Sequence, residues 1–384
     1  MDASESHGLT ILFALDGLNV GGIETNVVRL TQELTARGHS VLAASSGGVL
    51  EDQLADAGGT HVRCAFMSLR GLGRSSRTLA RVIRERRPDV IHTMSARAAV
   101  AVWLATMPGR LRRGPRRPAV VSSVMGLRLV PEERLLWTAL RVYLTAVGSQ
   151  RSIVISPTIG RFFRWMPVRR RRLVEMPVVG VDVPTSIDRV RARADLGAEL
   201  AIADDDAIVS TIGVLAPRKQ HEMFIRAAAV FDQRVKARFL IVGGGPLREE
   251  LEAEIRKCRL EEVVLLLGER SDLDRILGAT DVYVRPGMGE GGAGTTLYHA
   301  QAVAVPVIGF DSADTRAAVE PGVTAVLVPP GDVTAVADAI GQLLTERDLA
   351  TAIGERGRTT VERHSITAVT DGLVGLYRSV ATGE

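Results

Sequence analysis

The sequence predicts an α/β chain of two doubly wound, parallel-sheet domains. Short apolar, β-rich runs alternate with helix-length stretches over residues 9–156, the alternation pauses in an arginine-rich segment at 164–184, and it restarts with a second set of runs. Alternating strands and helices imply βαβ units, since parallel neighbours need a crossover connection between them.

The first set of strands is read at LTILFAL (9–15), SVLAAS (40–45), VIHTM (90–94), AVVSSV (119–124) and SIVIS (152–156). A helix over Glu24–Arg37 follows a glycine-rich turn and stops at Gly38, a residue that readily takes the left-handed conformation in which helices end. The second set is AIVSTIGVL (207–215), ARFLIVGG (237–244), VVLLLG (263–268), VYVRPG (282–287), VPVIGF (305–310) and AVLVPP (325–330). These place a hinge near 180–190 and domains at 1–184 and 185–364, with an inter-domain cleft facing the carboxyl ends of both sheets.

Composition narrows the classes. The 384 residues are 46% apolar and 24% charged, which excludes a disordered chain, and 38 Gly with 16 Pro exclude collagen-like repeats. Cys64 and Cys258 have no Cys-x-x-Cys or Cys/His neighbours, which argues against a disulfide scaffold or structural zinc and fits a reducing cytoplasm. The start MDASESHG is acidic and polar, and no run reaches the ~18 apolar residues of a membrane span, so neither secretion nor spanning is expected.

Charge is unevenly placed. Residues 1–184 carry 26 Arg against 14 acids, net +12, whereas 185–384 carry 22 basic and 30 acidic residues, net −8. A basic half suits an anionic membrane surface, a nucleic acid or a phosphorylated ligand. Arg110–Arg117 and Arg169–Arg172 lack the interleaved aromatics of single-strand readers, which disfavours nucleic acid and leaves a peripheral membrane contact open. Asp204–Asp206 has no further ligand at metal-binding spacing and reads as a solvated loop.

Three loops could carry chemistry. In DGLNVGGIETNVVRL (16–30), Gly17, Gly21 and Gly22 lie between a strand and a helix, where main-chain N–H groups can approach a phosphate. GVLAPRKQHEMFIRAA (213–228) sets Arg218 and Lys219 just before a helix, two cations suited to a diphosphate. RPGMGEGGAGTTLYHAQAVAVPVIGF (285–310) runs five glycines into a helix starting near Thr295, which aims the N–H groups of Gly294, Thr295 and Thr296 at an anion, with His299 one turn on.

Taken together the chain resembles the retaining GT-B glycosyltransferases of family 4. The matching pieces are GGIETNVVRLTQELTARGHSV (21–41), RPDVIHTMSARAA (87–99), IGVLAPRKQHEMFIRAA (212–228), FLIVGGGPLREEL (239–251), LLGERSDLDRILGATDVYVRPG (266–287) and AVAVPVIGFDSADTRAAVEPGVTAVLVPPGDVTAVADAI (302–340). The resemblance implies two Rossmann-like domains, a UDP- or GDP-sugar co-substrate held mainly by the second, an acceptor held mainly by the first, and no obligatory metal. It also implies that a last helix, about 365–382, returns to the first domain. Gly21, Gly22, Gly213, Gly243, Arg270, Gly291, Gly292, Ala293, Gly294, Thr295, Thr296 and His299 fall on the donor side. Asn19, Met94, Ser95, Met125 and Gly126 fall on the acceptor side, and Lys219, Arg218 and Glu290 are the catalytic candidates.

The departures are specific. The family's E-x7-E glutamates fall at Gly291 and His299, with Glu290 one place early; the arginine usual five residues before the lysine is Val214; and a family histidine is Met125. A thioether neither transfers a proton nor hydrogen-bonds a sugar well. These losses fit a transferase of specialised small-molecule metabolism, such as antibiotic biosynthesis, whose acceptor needs little activation; a sulfur acceptor is the extreme case, because thiolates form near neutral pH. A non-catalytic nucleotide-sugar-binding homologue and a membrane-associated transferase with a lipid or cell-envelope acceptor are the alternatives, and a homodimer is left open.

Overall fold

The structure is a computed structural model, and it describes residues 8–19, 21–66, 69–107, 117–124, 143, 145–146, 148–155, 163, 172–184, 186–232, 235–287 and 294–383. The chain forms two compact units, Met1–Gly180 with Ile366–Glu384, and Val181–Ser365. The passage at 180/181 lies four residues before the 184/185 limit read from sequence, and hydrogen bonding explains the difference. Asn26 Nδ2 donates to the Val178 carbonyl and the Gly180 N–H donates to Asn26 Oδ1, both at 2.9 Å, which ties 178–180 to the first unit. The next residue, Val181, donates its N–H to the His364 carbonyl in the second.

The first unit runs β1 (Thr10–Ala14), α1 (Gly22–Ala36), β2 (Ser40–Ser45), α2 (Glu51–Asp56), β3 (Thr60–Arg63), α3 (Leu69–Arg86), β4 (Val90–Thr93), α4 (Ala96–Thr106), β5 (Ala119–Val124), β6 (Arg151–Val154) and β7 (Leu173–Glu175). Its strands pair in parallel in the order β3-β2-β1-β4-β5-β6-β7. Side chains alternate across a strand, so Ile11, Phe13 and Leu15 enter one core with Val27, Leu30 and Leu34 of α1, while Leu12 and Ala14 enter another with α3 and α4. Helix α1 ends at Gly38, whose φ of 80° is left-handed.

The second unit runs α5 (Arg189–Leu200), β8 (Ala207–Ile212), α6 (His221–Val230), β9 (Ala237–Val242), α7 (Arg248–Cys258), β10 (Val264–Gly268), α8 (Leu273–Ala279), β11 (Val282–Arg285), α9 (Thr295–Ala302), β12 (Val307–Phe310), α10 (Ala313–Arg316), β13 (Val326–Val328), α11 (Val333–Thr345) and α12 (Arg347–Val361). Its parallel sheet has the order β10-β9-β8-β11-β12-β13, with an apolar core on each face. Asp188 and Asp332 start α5 and α11 by accepting the N–H of Arg191 and Ala335.

The final helix, α13 (Ile366–Thr382), belongs to the first unit, where Val369, Leu373 and Tyr377 join the α1 core. There Tyr377 meets His92 of β4, a fully buried imidazole that bridges the Tyr377 hydroxyl through Nδ1 and the Ser123 hydroxyl through Nε2. Burial pushes the His92 pKa down to about 3, so the ring is neutral. No helix among the described residues is long and apolar enough to cross a membrane.

Candidate active site

An open parallel sheet binds ligands outside the carboxyl ends of its strands, at the point where strand order reverses, because the loops on either side diverge there. In the second unit this point lies between β8 and β11. Strand β8 leads through Gly213 into a 3-10 turn, Pro217–Lys219, and β11 leads toward α9.

Lys219 doubles back over its own strand end. A Cβ built on Gly213 would lie 3.1 Å from Lys219 Cε and 3.5 Å from Nζ, so the missing side chain at 213 is the space the lysine occupies. Gly243 brings the β9 loop alongside: its φ is 143°, and a Cβ there would collide with the Gly213 carbonyl. Arg218, next to the lysine in the same turn, is exposed.

Helix α9 is tied to the same strand end. Tyr283 of β11 donates its hydroxyl to Thr296 Oγ1 at 2.9 Å, and Thr296 Oγ1 reaches the Ile212 carbonyl at 3.4 Å. Gly294, with φ 76°, precedes the helix, no described side chain caps it, and its first turn holds no acid. A helix start of this kind favours an anion through its N–H groups and dipole. The Lys219 turn and the Thr295–Thr296 start therefore converge on the adjacent residues Gly213 and Ile212. His299 is buried on the same helix, 8% exposed. Glu290, Gly291, Gly292 and Ala293 lie outside the described residues.

Arg270 occupies a different environment. Its guanidinium donates to both oxygens of Asp272, each at 2.8 Å, and to Glu199 at 2.6 Å, and Arg275 shares both carboxylates. Arg270 first of all, then Arg275, holds the Asp272 carboxyl well below the usual range. Sequence reading did not single out Arg285, which is buried at the end of β11 and donates through Nη1 to the Gly287 carbonyl at 2.8 Å and to Thr315 Oγ1 at 3.1 Å. An arginine ending an otherwise apolar strand beside Pro-Gly was the available signal. Asp205 and Asp206 pair with Lys236 and Arg238.

The reversal point of the first sheet lies between β1 and β4. Here Asp16, after β1, accepts the Ser95 hydroxyl at 2.7 Å, and Arg97 Nη1 lies 3.3 Å from its other oxygen. Ser95 Oγ also accepts the Ala98 N–H, which starts α4 and fixes the serine. Asn19 is exposed and Met94 is buried; Met125 and Gly126 lie outside the described residues. Gly21 and Gly22 open α1, and the Glu24 carboxylate folds back against Gly21, where a Cβ would collide with it. Burial above all, and the Asp16 charge with it, raise the Glu24 pKa above the ordinary carboxylate value, while the amides of Glu24 and Ile23 oppose that rise. Sequence reading missed both acids: neither Asp16 nor Glu24 stands in a catalytic spacing.

Known proteins give the context. The model for Glycosyltransferase Family 4 matches residues 20–178, and that for Glycosyl transferases group 1 matches residues 193–360. A GDP-mannose-dependent alpha-(1-6)-phosphatidylinositol monomannoside mannosyltransferase of Mycobacterium tuberculosis is 31% identical over 191 residues, 47% of this chain and 49% of that protein. The chain thus spans about half the length of this relative. A 2-deoxystreptamine N-acetyl-D-glucosaminyltransferase of Streptomyces fradiae is 26% identical over 385 residues, covering 90% of this chain and 89% of that one. The crystal structure of Anabaena Alr3699/HepE in complex with UDP superposes with a TM-score of 0.82 at 19% identity, covering 97% of this chain and 100% of that one, and shares its fold.

Proposed function

The chain belongs to the group 1 glycosyltransferases of family 4, and from that premise we propose that it moves a glycosyl unit from a nucleotide-diphosphate sugar to a small-molecule acceptor with retention of configuration. One observation carries the reading: the Lys219 side chain lying over Gly213, with the α9 start tied to the same strand end.

In this reading the diphosphate sits against the Lys219 ammonium and the N–H groups of Thr295 and Thr296. As the glycosidic bond breaks, negative charge grows on the departing phosphate, and these fixed positive groups stabilise it without rearranging. Arg218 adds a second cation at the rim, Gly213 and Gly243 keep the loops low, and His299 meets the donor further along α9. The acceptor is received by the first unit through Asn19, Ser95 and the Asp16 carboxylate that Ser95 orients, above Met94. The leaving phosphate takes the acceptor proton as the new bond forms on the same face of the sugar, so that no protein base at Met125 is required.

An amino-bearing cyclitol or sugar is the acceptor class we favour, in keeping with a role in natural-product metabolism; the acceptor in the name of the Streptomyces relative, which matches most of this chain, supports this reading. The test offers UDP-glucose, UDP-N-acetylglucosamine and GDP-mannose with aminocyclitols and with a thiol, and reads products by mass spectrometry and anomeric configuration by NMR. A product with the donor's anomeric configuration is expected. Nucleotide binding without transfer to any acceptor identifies a non-catalytic homologue, and the absence of nucleotide binding removes the site altogether.

A further inference from the structure

Helix α3 presents an arginine stripe that the proposed reaction does not use. Arg74, Arg77, Arg81 and Arg84 recur at three- and four-residue intervals, so they share one face of this 18-residue helix, and all four are exposed. The opposite face, with Leu79, Ala80, Val82 and Ile83, is buried against the sheet and α4. Among the described residues, none of the four arginines has an ion pair or side-chain hydrogen-bond partner. Exposed arginines on helices of the second unit do pair: Arg226 with Glu254, Arg248 with Glu252 and Arg191 with Asp195.

Neighbours within the stripe repel one another: Arg74/Arg77, Arg77/Arg81 and Arg81/Arg84 are like-charged pairs, while Arg84 lies in the last turn, where the helix dipole favours a cation. An external anionic surface offsets that repulsion. Beside α3 in the same helical layer, α4 exposes Trp103 at 44% of its surface, although its neighbours Val102 and Ala105 are buried in the shared core. A tryptophan is favoured where apolar and wet environments meet, as at a lipid headgroup layer.

We propose that the α3–α4 face docks on an anionic lipid bilayer, with the four arginines against headgroup phosphates and Trp103 at the interface. Charge complementarity selects this partner, and the exposed indole favours a bilayer over a nucleic acid, because the arginines on α3 are not interleaved with aromatics for base stacking. The contact rests on the surface of the first unit alone and not on the reaction proposed above.

Co-sedimentation of the full chain with phosphatidylcholine vesicles, and with vesicles that also contain phosphatidylglycerol, tests it. Binding is expected only to the anionic vesicles and falls as salt rises. Each arginine neutralised is expected to weaken binding roughly five-fold, so the Arg74→Gln/Arg77→Gln/Arg81→Gln/Arg84→Gln variant loses affinity by about 600-fold. Circular dichroism checks its fold; if it does not fold, Arg77→Gln/Arg81→Gln, with about a 25-fold loss, replaces it. Trp103→Ser is expected to weaken binding most at high salt, where charge is screened. Equal binding to both vesicle types, or unchanged affinity in the folded arginine variant, overturns the proposal, as does tighter binding to duplex DNA than to anionic vesicles at one salt concentration.

Discussion

The contact between Lys219 and Gly213 allows the proposed donor site to be perturbed in two graded steps. Lys219→Ala removes a positive charge from a developing phosphate anion, and removal of one such fixed stabiliser costs about 2–4 kcal/mol in the barrier, or roughly 30- to 1,000-fold in kcat/KM. Gly213→Ala leaves the charge but moves it. The new Cβ would lie 3.1 Å from Cε and 3.2 Å from Cδ of Lys219, tighter than ordinary contact. The flexible butyl chain yields by a few tenths of an ångström and carries the ammonium with it. Since a 1 Å misplacement of a catalytic group costs about 100-fold, this shift is expected to cost roughly three- to ten-fold. The assay is steady-state release of nucleoside diphosphate, with a thermal midpoint measured for each variant. Both variants should keep the wild-type midpoint within about 2 °C, because Lys219 is not a core residue. Turnover of Lys219→Ala within two-fold of wild type, or a Gly213→Ala loss as large as that of Lys219→Ala, would refute the assigned role.

Other expectations concern the scaffold. Gly243→Ala should prevent the second unit from folding normally, since its Cβ meets the Gly213 carbonyl and its φ of 143° is unsuited to alanine; soluble protein with a wild-type melting curve contradicts this. Asn26→Ala orphans the buried Val178 carbonyl and Gly180 N–H, a cost of about 2–6 kcal/mol, and calorimetry should show a midpoint about 10 °C lower. His92 gives a pH signature: its folded pKa of about 3 lies below the ordinary 6.5, so the unfolded chain takes up the proton first. Its contribution is therefore complete above pH 6.5 and is lost as pH falls toward 3, about 2 kcal/mol of it between pH 7 and 5. Urea unfolding of His92→Gln should lack that increment of pH dependence, and identical slopes in wild type and variant would contradict it.

Much of the architecture was legible because buried parallel strands are continuous β-branched and apolar runs. SVLAAS and AVVSSV coincide with β2 and β5 residue for residue. Strands β3 and β7 escaped notice, being Thr-His-Val-Arg and Leu-Val-Glu at the two sheet edges, where half-exposed positions carry no apolar signal. The glycine and cation motifs of the site were legible for a similar reason: Gly213, Lys219, Gly294 and Thr296 lie in short segments with local chemistry. What sequence did not reveal was partnership across distance. Ser95 meets Asp16 from 79 residues away, Arg270 meets Glu199 from 71, and His92 meets Tyr377 from 285. Such pairings follow from strand order, which no local window contains.

The most direct measurement is a crystal structure of the chain with UDP or GDP bound. Phosphate oxygens are expected within hydrogen-bonding distance of Lys219 Nζ and of the N–H groups of Thr295 and Thr296, beyond the ends of β8 and β11. A nucleotide whose phosphates lie away from that strand end, with Lys219 unmoved over Gly213, would contradict it.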